Sequence, residues 1–316
     1  MDKSIKNGII GFVVGDVLGV PVEFMAREEL RKNPVVDLRA YGTHNQPLGS
    51  WSDDTSMTLA TMDSIIHKEK IDTTDMGNRF LNWYKKSEYT PRGKVFDIGR
   101  TTIQALTKYE LKLDEAKNCG EEDEYSNGNG SLMRMIPIAY YIYYKKIKDD
   151  KEIYNIVKDV SSITHRHEVS IFGCYIYVSF ILGLLNGLEK KQAYKNIKKL
   201  NYNYFTKDSL KRYDRILKDD ITALNLNNIN SDGYIVSTLE CVLYMFLKSN
   251  DYNTTILEGI NLGNDTDTIG SCLGGLLGLY YGLDSIKESW RENIIKYEYI
   301  IDLCNKFENI IWRKKV

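Results

Sequence analysis

The chain has 316 residues, with 42 Lys and Arg against 43 Asp and Glu, so its formal net charge at pH 7 is −1. This length suits one large domain or two small ones and can bury a sizeable core. The charge balance gives no sign of the basic face that nucleic-acid binding usually requires, so we expect no nucleic-acid partner.

The cysteines and the N-terminus indicate the compartment. The five cysteines are far apart, odd in number and without a C-x-x-C pair, which favours buried free thiols in a reducing compartment over a disulfide framework. The apolar N-terminal segment is interrupted by Asp16 and lacks a small-residue cleavage site, which argues against a signal peptide. We therefore expect a cytoplasmic protein.

Apolar residues recur at intervals of three and four, and strong alternating strand patterns are scarce. This interval predicts a first helix through Ile5, Ile9 and Phe12, and another after the pair Asp53-Asp54. Further helices are predicted near 74–85, 132–145, 168–187, 234–248, 268–282 and 291–312.

The remaining organisation favours one domain. The stretch 189–231 is rich in Lys, Asn and Asp and predicts an exposed helix pair or helical insertion. No internal repeat and no long linker divides the chain. We expect residues 1–316 to form a single compact all-α domain with a buried central set of helices, and to be a monomer.

The segment Val169–Leu188 carries no charge over about the length that spans a bilayer. It contains Ser170, Ser179 and Asn186, and no second span of that length is evident. A fully buried central helix of a large α-helical domain has the same composition. We favour that interpretation and expect no membrane partner.

Two glycine triplets have four-residue spacing, which places each triplet on one face of a helix: Gly11, Gly15, Gly19 and Gly270, Gly274, Gly278. Glycine inside a helix costs about 1 kcal/mol relative to alanine, so three in register require a reason. Faces without side chains allow close backbone approach, and the two faces are candidates to cross each other. The alternative is chance spacing with broken helices.

Two acid-rich segments precede apolar helical runs: Ser52-Asp53-Asp54-Thr55, and Asp265-Thr266-Asp267-Thr268. Each segment alone reads as a helix N-cap, where an acidic residue contributes only about 0.3–1 kcal/mol. Together, two such helix starts are able to converge on one point. Four carboxylates do not share a buried position without cations. All the candidate ligands are oxygens, which suits two divalent ions, Mg²⁺ or Mn²⁺, and argues against zinc or copper.

The pairing of a W-S-D-D-T-x-M segment with a later G-N-D-T-D-T-I-G segment resembles the ADP-ribosylglycohydrolase family, the group that includes dinitrogenase-reductase-activating glycohydrolase. The resemblance covers most of the chain and keeps the order of the motifs. The other matching segments are GFVVGDVLGVPVEF at 11–24, FDIG at 96–99, GNGSLMR at 128–134 and TH at 164–165. The resemblance implies an all-α fold with a central two-metal site.

The resemblance also implies roles for individual residues. Metal-ligand positions of the family match Ser52, Asp53, Asp54, Asp265, Asp267 and Thr268, with Ser52 standing where the family often has Thr. Catalytic positions match Glu23 and Asp97, with Asp54 beside them. Positions that line the ADP-ribose pocket match Asn129, Gly130, Ser131 and His165.

Without the resemblance, these residues have ordinary interpretations. Glu23 would be a surface acid, and Asp97 would be an Asx-turn or a helix cap. Thr164 would be the N-cap of the long apolar helix, with His165 and His167 solvated in its first turn.

The implied activity is metal-dependent hydrolysis that removes ADP-ribose from a modified protein side chain. The W-S-D-D-T and F-D-I-G forms look more like the arginine-directed bacterial branch, so we expect cleavage of the N-glycosidic bond to arginine. The alternatives are hydrolysis of O-linked ADP-ribose, on serine or in a small ester such as O-acetyl-ADP-ribose, and an inactive relative that only binds ADP-ribose. The sequence does not divide the acid and base roles between Glu23 and Asp97.

Overall fold

Sixteen α-helices follow one another along residues 3–312, the part of the chain that this computed structural model describes. In chain order they are α1 (Ile5–Gly19), α2 (Arg27–Lys32), α3 (Asp53–Lys68), α4 (Thr73–Lys86), α5 (Arg100–Glu110), α6 (Ile136–Tyr144), α7 (Asp150–Ser161), α8 (Glu168–Leu185), α9 (Lys190–Ile197), α10 (Lys207–Arg212), α11 (Asp214–Leu217), α12 (Ile235–Lys248), α13 (Tyr252–Ile260), α14 (Thr266–Tyr281), α15 (Glu288–Glu292) and α16 (Tyr297–Trp312). Short 3-10 turns connect several of them, and the same residues contain isolated β-bridges but no strand. The all-α prediction is confirmed.

Helices α1 and α14 cross in the centre of the fold with their glycine faces in contact. A Cβ atom on Gly11 would lie 2.4 Å from the carbonyl oxygen of Gly274, and one on Gly19 would lie 2.4 Å from that of Thr266. The Tyr252 hydroxyl also donates to the Gly11 carbonyl at 2.7 Å. The predicted crossing of the two faces is confirmed, and the alternative of chance spacing is wrong.

Helices α1 and α8 are apolar on all sides because each is surrounded by protein. Windows Ile5–Val22 and Glu168–Leu185 are long and apolar enough to cross a membrane by composition alone, and 94% and 83% of their residues are buried inside the fold. The first window is not evident from the sequence, because Asp16 interrupts it. A helix that is apolar on all sides and buried in this way is typical of the centre of a large α-helical domain.

Two predicted helices differ from the observed ones. The prediction for 132–145 begins one turn early, because a 3-10 turn occupies Leu132–Arg134 and Pro137 sits in the first turn of α6, where its missing N–H is not needed. The prediction for 291–312 spans a break between α15 and α16, where Lys296 has a φ of 57°.

The segment predicted as an exposed helical insertion, 189–231, contains α9, α10 and α11. Its lysines are mostly exposed, whereas other residues of the segment belong to the core: Ala193, Tyr194, Ile197, Phe205, Tyr213 and Ile216. The segment is therefore anchored to α8 and α12 through one apolar side and presents its basic residues on the other.

Candidate functional site

The N-termini of α3 and α14 open on one pocket of about 310 Å³. Five carboxylates line it: Glu23, Asp53, Asp54, Asp97 and Asp265. Thr268 also lines the pocket, and Asp267 lies beneath it with 1% of its surface exposed. The two acid-rich segments, more than 200 residues apart in the chain, thus meet.

The start of α3 is fixed by two side chains that lie behind the pocket. Ser52 is the N-cap, and its Oγ accepts a hydrogen bond from the Asp54 N–H at 3.2 Å. Asp16 of α1 accepts from the Ser52 N–H at 3.0 Å and from the Thr55 hydroxyl at 2.6 Å. Asp16 is fully buried, and burial raises its pKa to about 6. This positioning role was not predicted from the sequence, although a lone acid inside an apolar helix is a visible signal for it.

The start of α14 is held through Thr266 and leaves Asp265 incompletely bonded. The Thr266 hydroxyl donates to the Gly19 carbonyl at 2.8 Å, so this residue fastens α14 to α1 and takes no part in the acid cluster. Asp265 accepts from the Asn129 amide at 2.8 Å through Oδ2, while its buried Oδ1 has no hydrogen-bond partner. A buried carboxylate oxygen without a donor is a site for a cation or a water molecule.

Asp54 joins the two helices directly. Its Oδ2 accepts from the Ser271 hydroxyl at 2.9 Å, and its Oδ1 accepts from the Thr268 hydroxyl at 3.4 Å. Both donors belong to α14, so Asp54 bonds across the junction between the two acid-rich segments.

The carboxylates are close enough to share cations. Single oxygens of Asp53, Asp97 and Asp267 all lie within 4.8 Å of one another, as do single oxygens of Glu23, Asp265 and Asp267. Among residues 3–312, no Lys or Arg lies within ion-pair distance of these acids. Burial and the neighbouring carboxylates together raise the pKa of Asp53 and of Asp267 far above the ordinary value. Like charges at this spacing do not all ionise unless a counter-charge is present.

The donor set fits hard divalent cations. Two of the three close triplets offer carboxylate oxygens alone, and the third adds the His44 ring nitrogen to Glu23 and Asp97. The free Oδ1 of Asp265 adds an unsatisfied acceptor. Mg²⁺, Mn²⁺ and Ca²⁺ prefer such oxygen ligands. Asp97, which the sequence analysis assigned to catalysis alone, lies within the same distance and belongs to the candidate ligand set.

Glu23 is a buried acid paired with a histidine. It follows the 3-10 turn Val20–Val22, only 4% of its surface is exposed, and its carboxylate is hydrogen-bonded to Nε2 of His44. Burial and the nearby Asp97 raise the pKa of Glu23 to about 10. The interpretation of Glu23 as a surface acid is wrong. His44 was missed, because no spacing rule links it to Glu23.

Asp97 lies in the loop before α5 with a φ of 50°, in the left-handed region. Helix α5 begins at Arg100 after Gly99, without a side-chain cap, so the interpretation of Asp97 as a helix cap is wrong. Asp97 instead contributes to the acid cluster described above.

The opposite wall contains the GNGS loop and His165. Asn129 bonds to both Asp265 and Thr238, and a Cβ on Gly130 would lie 2.9 Å from Cε1 of His165. Burial and the nearby Arg134 lower the pKa of His165 to about 3, so the ring is neutral. Ser131 does not line the pocket; its Oγ accepts from the Ser161 hydroxyl at 3.0 Å beneath it.

Arg134 lies behind this wall in the protein interior and holds it in place through hydrogen bonds. It is fully buried and donates to the Gly130 carbonyl at 2.8 Å and to the Thr164 hydroxyl at 2.8 Å. Thr164 is therefore not the N-cap of α8. That position belongs to His167, whose Nδ1 accepts from the Val169 N–H at 3.2 Å. His165 is 3% exposed rather than solvated.

Comparison with known proteins identifies the family of this chain. The model of the ADP-ribosylglycohydrolase family matches residues 2–315. The chain belongs to the ADP-ribosylglycohydrolase family. The resemblance found in the sequence is confirmed.

Several relatives of this ADP-ribosylglycohydrolase carry activity names. The ADP-ribosylarginine hydrolase Tri1 of Serratia proteamaculans is 28% identical over 97% of this chain and 79% of its own length. The ADP-ribosyl-[dinitrogen reductase] glycohydrolase of Rhodospirillum rubrum is 26% identical over 90% and 87%. Human ADP-ribosylhydrolase ARH3 is 25% identical over 78% and 75%.

A solved structure described as an ADP-ribosylglycohydrolase-related protein complex superposes with a TM-score of 0.79 over 96% of both chains, at 24% identity, and shows the same fold. As an ADP-ribosylglycohydrolase, this protein is a glycosidase that removes ADP-ribose. The acidic pocket is its candidate active site.

Proposed function

We propose that this ADP-ribosylglycohydrolase depends on divalent cations and releases ADP-ribose from arginine side chains of modified proteins. One observation carries the proposal: six acids from α3, α14 and two loops meet at one pocket, and within residues 3–312 no Lys or Arg pairs with their carboxylates. Arginine-directed activity in relatives that align with most of this chain supports the choice of bond.

The ligands of two cations would come from the starts of α3 and α14. The candidate set is Asp53, Asp54, Asp265, Asp267 and Thr268, with Asp97 close to the same oxygens. Ser52, which the sequence assigns to this set, does not line the pocket and caps α3 behind it. Bound Mg²⁺ or Mn²⁺ would supply Lewis acidity that binds vicinal ribose hydroxyls and makes water a stronger nucleophile at neutral pH. The shared burial and mutual repulsion of these acids favour cation binding over the empty, partly protonated state.

The wall opposite the acids suits the rest of ADP-ribose. Gly128, Asn129 and Gly130 line the pocket next to the neutral His165 ring, and a glycine-rich turn lets a phosphate approach the backbone closely. Arg100 and the 87% exposed Tyr125 line the mouth, where they offer a cation to the phosphates and a ring face to the base.

Glu23 and Asp97 divide the proton transfers in this proposal. Glu23 is hydrogen-bonded to His44, and in this proposal the pair delivers the proton that the departing side chain accepts. Asp97 lies within 4.8 Å of Asp53 and Asp267 and accepts the proton of the attacking water. As positive charge develops on the sugar, the buried carboxylates stabilise it.

The pocket wall near Glu23 favours a cationic side chain as the one that carries ADP-ribose. Phe24 is 67% exposed at the pocket, and its ring centroid lies 5.9 Å from that of His44, which in turn lies 5.5 Å from that of Phe96. A guanidinium group is attracted both by aromatic faces and by carboxylates. A serine linkage has no charge for these groups to recognise. The similarity to ARH3 keeps O-linked ADP-ribose as the second candidate.

The test is release of free ADP-ribose from matched peptides that carry the modification on arginine or on serine. We expect release from the arginine peptide with Mg²⁺ or Mn²⁺ and none with EDTA. Asp54→Asn should lose the activity, whereas Asp208→Asn, an exposed acid outside the pocket, should keep it.

Three outcomes would contradict the proposal. Full activity in EDTA would exclude metal dependence, and preferential release from serine would move the enzyme to the O-linked class. Tight binding of ADP-ribose without release from either peptide would identify a binding protein.

A further inference from the structure

The charge of this chain is concentrated in one segment. Residues 190–218 contain ten Lys and Arg but only two Asp and no Glu, a formal charge of +8 in a chain whose net charge is −1. The remainder of the chain therefore carries −9. The segment coincides with α9, α10 and α11, which turn their apolar residues to the core and their basic residues outward.

Within this segment lies a groove of about 530 Å³, here called the lysine groove. Its rim carries Lys198, Lys207, Lys211 and Lys218. Its floor is formed by the half-buried side chains of Tyr202, Leu210 and Leu217. An apolar floor inside a ring of ammonium groups suits a ligand that combines an apolar side chain with flanking negative charge.

Two of the rim lysines have no counter-charge. Lys207 and Lys211 are exposed, and neither forms an ion pair within the described part of the chain. They are four residues apart on α10, so they share one face of a short helix and repel each other. An acidic partner would remove this repulsion.

The other two lysines are held in place by the protein. The Lys198 ammonium donates to the Asp219 carbonyl and lies 4.5 Å from the centre of the Tyr194 ring. Lys218 pairs with Asp214, the one acid of the groove lining, at 2.9 Å. Asp214 is thus already neutralised, and the groove presents net positive charge with two fixed and two free ammonium groups.

We propose that the lysine groove binds an acidic protein segment that carries an apolar side chain between glutamates or aspartates. The apolar side chain contacts Leu210 and Leu217, and the flanking carboxylates pair with Lys207 and Lys211. This docking surface is separate from the acidic pocket, with which it shares no lining residue.

A protein segment fits this groove better than single-stranded nucleic acid does. Bases need a free aromatic face for stacking. The Tyr202 ring instead packs edge-on against Phe172, with centroids 5.0 Å apart, and its hydroxyl donates to the Ile197 carbonyl. The −9 charge of the rest of the chain would also repel a long polyanion, whereas a short acidic segment meets only the basic face.

The test measures binding of a fluorescent peptide with glutamates on both sides of a leucine to the full-length protein. We expect binding at low salt that weakens at physiological salt, and about tenfold weaker binding in the Lys207→Glu, Lys211→Glu double variant. A matched variant, Lys32→Glu with Lys86→Glu, makes the same change in net charge at two other exposed lysines and should bind as the wild type does. Replacing the peptide leucine by serine should weaken binding severalfold.

Turnover of free ADP-ribosyl-arginine, or binding of ADP-ribose, serves as a separate readout that the double variant should leave unchanged. The proposed docking and the proposed activity can therefore fail independently. The docking proposal is overturned if the peptide does not bind, or if both double variants weaken it equally. It is also overturned if an oligonucleotide of equal charge, or vesicles with anionic lipid, compete with the peptide at lower concentration through the same lysines.

Discussion

Gly15 and Gly270 pack backbone against backbone at the centre of the protein. A Cβ atom on Gly15 would lie 1.9 Å from the carbonyl oxygen of Gly270, and one on Gly270 would lie 2.3 Å from that of Gly15. No side chain fits between the helices here, so the crossing sets the position of α14, and with it Asp265 and Asp267, relative to α1.

Gly15→Ala is expected to destabilise the fold. Helix propensity alone would favour alanine by about 1 kcal/mol, but the clash with a backbone atom is not relieved by a rotamer change, so we expect a net loss of about 2–3 kcal/mol in the free energy of unfolding. Urea unfolding measures it. Gly99→Ala is the control, since its Cβ would have no neighbour within 4 Å, and it should stay within about 0.5 kcal/mol of wild type. Equal stability of the two variants would contradict the close crossing.

Asp267→Asn should reduce the gain in thermal stability that metal binding gives the protein. Without cations, this substitution removes one of several mutually repelling buried carboxylates, so the metal-free variant should be at least as stable as the metal-free wild type. With Mg²⁺ or Mn²⁺ the wild type should gain thermal stability through ligand linkage, and the variant should gain much less. Differential scanning calorimetry with and without EDTA measures this. An equal metal-induced shift in both proteins would remove Asp267 from the ligand set.

His165 should make the protein sensitive to acid. The ring stays neutral in the fold, with a pKa near 3, whereas in the unfolded chain it takes up a proton near pH 6.5. Between these pH values the unfolded state therefore binds more protons than the folded state. The free energy of unfolding falls as the pH falls, by up to about 1.4 kcal/mol per pH unit. His165→Asn should show a shallower decline between pH 6.5 and pH 4 in urea titrations. Identical slopes would show that His165 is not held neutral.

Phe24→Ala should discriminate between the two candidate linkages. If the exposed ring contacts the guanidinium group, its loss should raise KM for an ADP-ribosyl-arginine peptide by about 2- to 30-fold, the range of a cation–π contact of about 0.5–2 kcal/mol. KM for an ADP-ribosyl-serine peptide and the affinity for free ADP-ribose should change little. Phe24→Tyr keeps an aromatic ring and should keep KM for the arginine peptide close to the wild-type value. Equal loss for both peptides would assign Phe24 a structural role.

The sequence was most informative where one interaction dominates. Gly15 and Gly270 could be matched because close backbone contact gives a steric reason for three glycines in register, where glycine otherwise costs helix stability. The acids at 53–54 and 265–267 could be grouped because buried like charges require a common counter-charge. At both places, steric or electrostatic effects are strong enough to override local conformational preference, so the contact can be predicted without the tertiary structure.

Relationships that depend on loop conformation could not be predicted. His44 reaches Glu23 from a turn flanked by Tyr41 and Asn45, both at positive φ, and no periodic pattern encodes such a turn. Thr164 was predicted as a helix cap because a threonine hydroxyl can accept from a helix N–H. The buried Arg134 donates to that hydroxyl, and His167 caps the helix instead. Asp16 was visible, but a single acid does not reveal which amides it accepts from.

The α1–α14 crossing also has a consequence for synthesis on the ribosome. Gly15 emerges early, and its partner Gly270 is made about 250 residues later, which at typical rates is a delay of about 12–50 s. Throughout that interval the glycine face of α1 has no α14 to pack against, and the pocket lacks two of its six acids, Asp265 and Asp267. The enzyme thus acquires activity only when its last quarter has been translated, and until then the glycine face of α1 stays uncovered.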